Sequence, residues 1–265
     1  MLKDITLGQY FPGNTVVHRL DPRTKLILVV LYIIALCSAG GWPSNILMVV
    51  VTVICMAVSR ISPRNIFKGL KPMIFIIALT ALLNIFYTQG TPIREGWIIT
   101  WEGIERAVKM MLRITLLITG TFLLTYTTSP MALTDGLELL LNPLKKLKVP
   151  VHEMTLMMSM ALRFIPTLIE ETDKIMSAQK ARGADFETGS LIDRAKALLP
   201  ILVPLFVSSF RRADELAVAM ESRCYHGGEG RTRMKQLRFA TADYVALVLG
   251  CVFLAAILTM KRLGL

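Results

Sequence analysis

The sequence predicts an all-α integral membrane protein with about five transmembrane helices and a long helical segment on the cytoplasmic side. Two observations carry that expectation. Of its 265 residues 54% are hydrophobic and only 18% charged, with a mean hydropathy of +0.56, more apolar surface than a soluble domain can bury. The apolar residues also gather into separate runs, at Leu26–Ala39, Ile46–Val58, Met73–Tyr87, Val108–Thr128 and Val245–Met260.

A helix needs roughly 20 residues to cross the hydrocarbon core. The fourth run meets that outright and the others meet it with their flanks. The polar stretch Met1–Asp21 has no apolar core followed by a small-residue cleavage site, so no cleaved signal peptide is expected and the spans themselves direct insertion. Gly40-Gly41-Trp42-Pro43-Ser44-Asn45 reads as a turn with an interfacial aromatic, which makes the first two runs a helical hairpin. Lys3, Arg19, Arg23 and Lys25 precede the first run, and Arg60, Arg64, Lys68 and Lys71 follow the second. Sixteen further bases lie between Met131 and Ala242. Few lie on the other side: Arg94 and Arg106, Lys109 and Arg113 at the start of the fourth run, and Lys261 and Arg262 at the tail. The positive-inside rule then puts the N-terminus in the cytoplasm and the C-terminus outside. The resulting organisation is a four-helix membrane region over 1–130, a cytoplasmic region over 131–240 and a last transmembrane helix over 241–265.

The segment 131–240 is too long for a loop and too apolar for a linker. Met131–Leu141 reads as a short helix stopping near Asn142-Pro143. A second helix runs over about Val151–Ala181, with Met154, Met158, Ala161, Ile165, Leu168, Ile175 and Ala178 at three- and four-residue steps and Gly183 as its left-handed stop. A third runs over about Leu191–Ser222. Its middle, 197–210, is apolar nearly all round but holds Pro200 and Pro204, and is expected to be a kinked helix buried among its neighbours. The alternative, a short sixth span, would move the C-terminus inside and separate Arg182 from Arg223.

Several chemistries find no support. There is no G-x-x-x-x-G-K-[ST], and Gly227-Gly228-Glu229-Gly230 lacks the spacing and the preceding strand of a dinucleotide loop. His18, His152 and His226 lie far apart and have no second His or Cys at i+3 or i+4, which argues against a metal site. No Ser or Cys sits in a nucleophile elbow. Cys37, Cys55, Cys224 and Cys251 form no C-x-x-C pair and read as small apolar fillers. A net charge of +11 raises nucleic acid as a partner, but no zinc spacing, stacking platform or reading motif accompanies it. An anionic bilayer surface and an acidic partner fit the excess of base instead.

A repeat stands out. Asp173–Gly183 and Asp214–Cys224 align at a constant offset of 41, pairing Asp173 with Asp214, Ile175 with Leu216, Ala178 with Ala219 and Arg182 with Arg223. Each copy is an amphipathic helix ending in small-Arg-small: Ala181-Arg182-Gly183 and Ser222-Arg223-Cys224. An arginine between small neighbours can carry its guanidinium fork into a groove and meet carboxylates or carbonyls there. The plainer role is a cation complementing the helix dipole, worth about 0.3–1 kcal/mol. A matched pair with matched lead-in helices favours docking into two sockets.

These residues, with Leu20-Asp21-Pro22-Arg23-Thr24-Lys25-Leu26 and Ala161-Leu162-Arg163-Phe164-Ile165-Pro166-Thr167-Leu168, make the chain resemble the transmembrane T component of energy-coupling factor (ECF) transporters. These importers of vitamins and metal ions are related to ABC transporters and include the cobalt-type permease subunits. The resemblance implies that the two long helices are cytoplasmic coupling helices whose arginine ends enter grooves of two ATP-binding cassette ATPase subunits, one motif per subunit. It also implies a substrate-binding membrane S subunit as the other partner. This chain would bind no cofactor and catalyse nothing, ATP and Mg being held by the ATPases. Cys224 departs from the commoner Gly or Ala at the second motif. Met154, Met157, Met158 and Met160 could offer an adaptable surface to exchangeable S subunits, or be helix core. Pro166 marks a bend in the first coupling helix. Asn84 is expected to bond to a neighbouring helix, and Lys109 and Arg113 to snorkel. On this reading the two arginines stand side by side at the inner leaflet of a prokaryotic cytoplasmic membrane. A self-sufficient secondary transporter would need intramembrane carboxylates or paired broken helices, and a membrane-embedded enzyme a catalytic cluster; neither is evident.

Overall fold

The computed structural model describes residues 10–88, 90–91, 100–186, 190–227 and 236–263. Lys3, Arg94 and residues 228–230 of the sequence reading lie outside them. The helices are α1 (Val16–Arg19), α2 (Pro22–Ser38), α3 (Trp42–Ser59), α4 (Pro63–Leu70), α5 (Ile74–Tyr87), α6 (Trp101–Thr127), α7 (Pro130–Leu141), α8 (Val151–Ala181), α9 (Leu191–Glu221) and α10 (Thr241–Arg262). They fall into two units, one formed by the described residues up to 140 and from 237 onward, the other by those between 141 and 236.

Four helical stretches are long and apolar enough to cross a membrane: Trp42–Ser59, Pro63–Tyr87, Trp101–Thr127 and Thr241–Arg262. The expected third run starts ten residues earlier than its apolar core, because a 3₁₀ turn at Lys71–Met73 joins α4 to α5 without a break. The remaining expected span, α2, has 17 helical residues, about 25 Å at 1.5 Å per residue. It is short for a bilayer core of about 30 Å, so about five expected helices become four that qualify by length, with α2 packed alongside them.

The hydrogen bonds fix the directions in this unit. Asp21 meets Asp243 at one end of the α2–α10 pair, Leu28 lies against Gly250 further along, and Leu36 and Ile257 share the core beyond, so α2 and α10 run parallel. Lys25 reaches the carbonyl of Thr127, Tyr32 that of Leu116, and Arg113 that of Ala39, so α6 runs opposite to α2. Tyr32 and Thr52 join α2 to the returning α3. Gly69 of α4 faces Phe122, and the carbonyls of Asn84 and Ile85 face Gly103, so α4–α5 also opposes α6. Lipid supplies no hydrophobic drive between helices, so small residues that allow close approach do the packing. A Cβ on Gly120 would meet the Tyr32 ring. The fully buried residues Ala35, Leu36, Met48 and Ile257 form the centre of the bundle.

One end of the bundle therefore gathers Arg19, Arg23, Lys25, Arg60, Arg64 and Lys68. The other carries Glu102, Glu105, Arg106, Lys109, Arg113, Lys261 and Arg262. Lys109 pairs with Glu105 at 2.7 Å and lies over the Trp42 ring, while Arg113 caps the carbonyl of Ala39 at 2.6 Å. Asn84 differs from expectation. Its amide donates to Thr80 O of its own helix at 2.8 Å, because the neighbouring α6 presents Gly103 there and only backbone can approach.

At the basic end lies a buried ionic knot. Asp21 caps α2 by accepting from Arg23 N at 2.9 Å, and the Arg23 guanidinium returns to both its carboxylate oxygens, Nε at 3.1 Å and Nη2 at 2.9 Å. Asp243, 1% exposed, accepts from Asp21 N and from Ala240 N, each at 2.8 Å. Lys25, also buried, donates to the carbonyls of His18 and Thr127 and to the Thr128 hydroxyl. Burial pushes the Asp21 carboxyl up, but the hydrogen bonds and charge of Arg23 outweigh it and hold Asp21 below the ordinary aspartate value.

Two outcomes are expected. Asp243→Ala strands the buried N–H of Asp21 and unties that of the exposed Ala240, and should lower stability by on the order of 1–3 kcal/mol, with Asp243→Asn costing less because one acceptor oxygen remains; thermal unfolding in detergent measures both. The depressed Asp21 carboxyl stabilises the fold above the ordinary aspartate pKa of about 3.9 and loses that contribution as pH falls through its lower folded value. The melting temperature should therefore drop on acidification below about pH 4, and less steeply in Asp21→Asn.

Candidate functional site

The second unit is built on α8 and α9, each of 31 residues. Glu171 and Arg212 join them at 3.2 Å, and Gln179 Nε2 donates to Pro200 O at 3.4 Å. Higher numbers on α8 thus meet lower numbers on α9, and the helices are antiparallel. Glu171 and Arg212 are themselves 41 apart, so two equivalent positions of the repeat bond to each other. That places a local pseudo-twofold at this ion pair.

The two helix ends close in the same way. At the first, Gly183 N donates to Lys180 O at 3.0 Å and Ala184 N to Gln179 O at 3.0 Å; at the second, Cys224 N donates to Glu221 O at 2.8 Å and Tyr225 N to Met220 O at 3.0 Å. Every atom of one set maps on the other by adding 41. This is the Schellman closure, in which a left-handed residue turns the last two N–H groups back on the helix. Gly183 supplies it with φ 87°, and Cys224 does the same with φ 56° although it is not a glycine. The departure noted in the sequence therefore leaves the geometry of the second end unchanged.

Arg182 and Arg223 occupy the same position in this closure, one residue before the left-handed one. Both side chains are exposed, and neither has a hydrogen bond or ion pair among the described residues. The Schellman bonds already engage the carbonyls of Gln179, Lys180, Met220 and Glu221, and neither guanidinium bonds to a helix-end carbonyl. Each fork is left pointing outward between small neighbours, Ala181 and Gly183 or Ser222 and Cys224.

The two arginines do not stand side by side as expected. Each lies 11 residues beyond the Glu171–Arg212 pair, about 16 Å of helix, and antiparallel packing sends them to opposite ends of the pair. The ion pair and the Gln179–Pro200 bond together decide this, and the periodicity of either helix alone does not report it. The matched offset of an acid and a base, 171 and 212, was the signal in the sequence that could have shown it.

Burial gives a second correction. The run 197–210 was expected to be buried, yet it forms the middle of the single helix α9, and Val203, Phe206 and Phe210 are 60%, 62% and 68% exposed. Ile201 is its one buried hydrophobic among the described residues. Among the described residues α9 is not one of the helices long and apolar enough to cross, and Arg211, Arg212, Asp214 and Glu215 continue the run. On α8, Met154, Met157 and Met158 are likewise exposed, and Met160 is half-buried. The helix passes through Pro166 as one element. Among the described residues no three of His, Cys, Asp and Glu gather as metal ligands.

Residues 13–234 match the model of the family described as CbiQ, cobalt transport protein. The chain belongs to this family. It is 52% identical over 263 residues to a protein of Ruminiclostridium cellulolyticum named energy-coupling factor transporter transmembrane protein EcfT, covering 98% of each chain. Proteins of the same name from Clostridium kluyveri and Bacillus subtilis are 54% identical over 260 residues and 48% identical over 265, with 95% and 99% of this chain and 96% and 100% of theirs covered. The family is one of membrane-embedded transport components, in keeping with the four apolar helices.

The left-handed position at the second helix end yields a prediction. A non-glycine residue there costs on the order of 1 kcal/mol, so Cys224→Gly should leave the Tyr225 amide equally or better protected in hydrogen exchange. Gly183→Val should expose the Ala184 amide of the first end.

Proposed function

We propose that this chain is the non-catalytic transmembrane subunit of an ATP-driven ECF importer of vitamins or other micronutrients. In this reading it links two ATP-binding cassette ATPase subunits to a substrate-binding S subunit. The single observation that supports it best is the pair of identical Schellman ends, each presenting an unpartnered arginine at the same position. Arg182 and Arg223 each enter a groove of one ATPase subunit, where a planar fork of five donors suits carboxylates and carbonyls. The pseudo-twofold at Glu171–Arg212 suits two copies of one partner better than a single one, since equivalent ends separated along an antiparallel pair address equivalent sockets.

ATP and Mg are held and hydrolysed by those partners. Closure of the ATPase pair moves the two helix ends together, and α8 and α9 change their mutual angle as stiff levers. The exposed apolar residues of α9 and the methionines of α8 receive the S subunit, thioethers repacking for different S subunits. Exposed apolar patches of this kind mark interaction surfaces. The basic end of the membrane unit faces the cytoplasm by the positive-inside rule, with the N-terminus inside and the C-terminus outside. Substrate specificity resides in the S subunit.

The test is the whole complex, expressed with its ATPase and S subunits in a host lacking its own, with radiolabelled biotin, riboflavin and cobalt(II) as probes. Arg182→Glu and Arg223→Glu should each abolish uptake of whichever probe the wild type imports, at least tenfold, with membrane insertion preserved. The double variant should no longer co-purify with the ATPases. Undiminished uptake by Arg223→Glu would reduce the second motif to a helix cap, and probe transport by the isolated chain in liposomes would instead support a self-sufficient secondary transporter.

A further inference from the structure

The Leu20–Leu26 stretch has no part in the two arginine ends, yet it occupies a particular place in the chain's path. The chain leaves the membrane unit after Leu140 and re-enters it at Leu237, and both passages run against the first turn of α2. On the outgoing side Gly136 of α7 packs on that turn so closely that an added Cβ would lie 2.9 Å from Pro22 Cβ and 3.3 Å from Arg23 N. On the returning side Arg23 Nη2 donates to Leu237 O at 3.1 Å, and its guanidinium lies 4.0 Å from the centre of the Phe239 ring. Ala240 N and Asp21 N then both bond to the Asp243 carboxylate, which ties the returning chain and the start of α10 to the start of α2.

We infer that Arg23 is a positioning residue that clamps the returning chain to the first turn of α2, against which the outgoing chain also packs, so that displacement of the α8–α9 segment is delivered to the membrane helices rather than lost in slack connections. This rests on the coupling function proposed above. Only arginine meets the geometry. One planar fork makes two bonds to the Asp21 carboxylate and one to the Leu237 carbonyl while its face stacks on Phe239. Lysine, a compact point charge, retains the attraction but not the fork or the stacked plane. The carboxylates it gathers are nearly dry, Asp21 being 5% and Asp243 1% exposed, while Phe239 lies exposed at its rim, and the Arg23–Asp21 pair is screened less by salt than a surface pair.

The test uses the complete complex of ATPases, S subunit and this chain in liposomes, scoring imported probe per ATP hydrolysed with biotin, riboflavin or cobalt(II), whichever the wild type carries. Arg23→Gln should co-purify with its partners and hydrolyse ATP within about twofold of wild type, while probe imported per ATP falls about tenfold. Arg23→Lys should recover part of the ratio, and Phe239→Leu, which removes only the stacking face, should lower it about threefold. Lys109→Gln, at the opposite end of the bundle, should leave it unchanged. An unchanged ratio in assembled Arg23→Gln complex, or a fall in uptake and hydrolysis in parallel, would overturn the inference. Should Arg23→Gln not assemble, the ratio in Phe239→Leu decides by the same criteria. A wild-type chain that binds no ATPase would instead overturn the coupling function on which the clamp depends.

Discussion

Three buried charged side chains, Asp21, Lys25 and Asp243, gather with the half-buried Arg23 where the first long helix begins, and the arrangement of the membrane unit follows from how they are satisfied. An uncompensated charge in that setting would cost several kcal/mol. Each is therefore bound to fixed partners: Arg23 to Asp21 and Leu237, Asp243 to two backbone amides, Lys25 to two carbonyls and a hydroxyl. These bonds bring the first turns of α2 and α10 together at one level. The parallel course of the two helices, and with it the side on which α10 ends, depends on that constraint.

The two units obey different solvent logic. In the membrane unit most apolar side chains face outward because the surroundings are hydrocarbon, and cohesion comes from close backbone approach at small residues and from polar bonds such as Tyr32 to Thr52 and Leu116. In the α8–α9 unit the outward apolar residues have no such excuse if they stand in water, and a row including Val203, Phe206 and Phe210 calls for a covering surface. The polar ends of the same helices, with their unpartnered arginines, call for a different one. One helix pair thus presents two chemistries, an apolar middle and cationic tips.

The offset of 41 is more than a resemblance between two short segments. It recurs in the backbone closures, in the left-handed residues and in an ion pair that joins the helices. A repeat whose equivalent members bond to each other generates a local twofold, and a twofold is the economical way to address a pair of like partners.

Much of this is legible in the amino-acid sequence. Apolar periodicity marked α8 and α9 to within a residue or so, Gly183 marked a left-handed stop, and the five runs outlined the membrane helices, because these features arise from contacts within a few residues and one turn of chain carries them. The 41-residue spacing was equally plain, being a property of order along the chain. Tertiary structure alone decided that the arginines lie at opposite ends, since the contacts of Glu171 with Arg212 and of Gln179 with Pro200 together orient the helices. It alone decided that 197–210 lies exposed, because hydropathy reports a need for cover and not what provides it. Asp21 and Asp243 bond across 222 residues of sequence, and no local pattern could have paired them: an aspartate before a helix reads as a cap wherever it stands, and only the folded chain shows which other helix that cap holds.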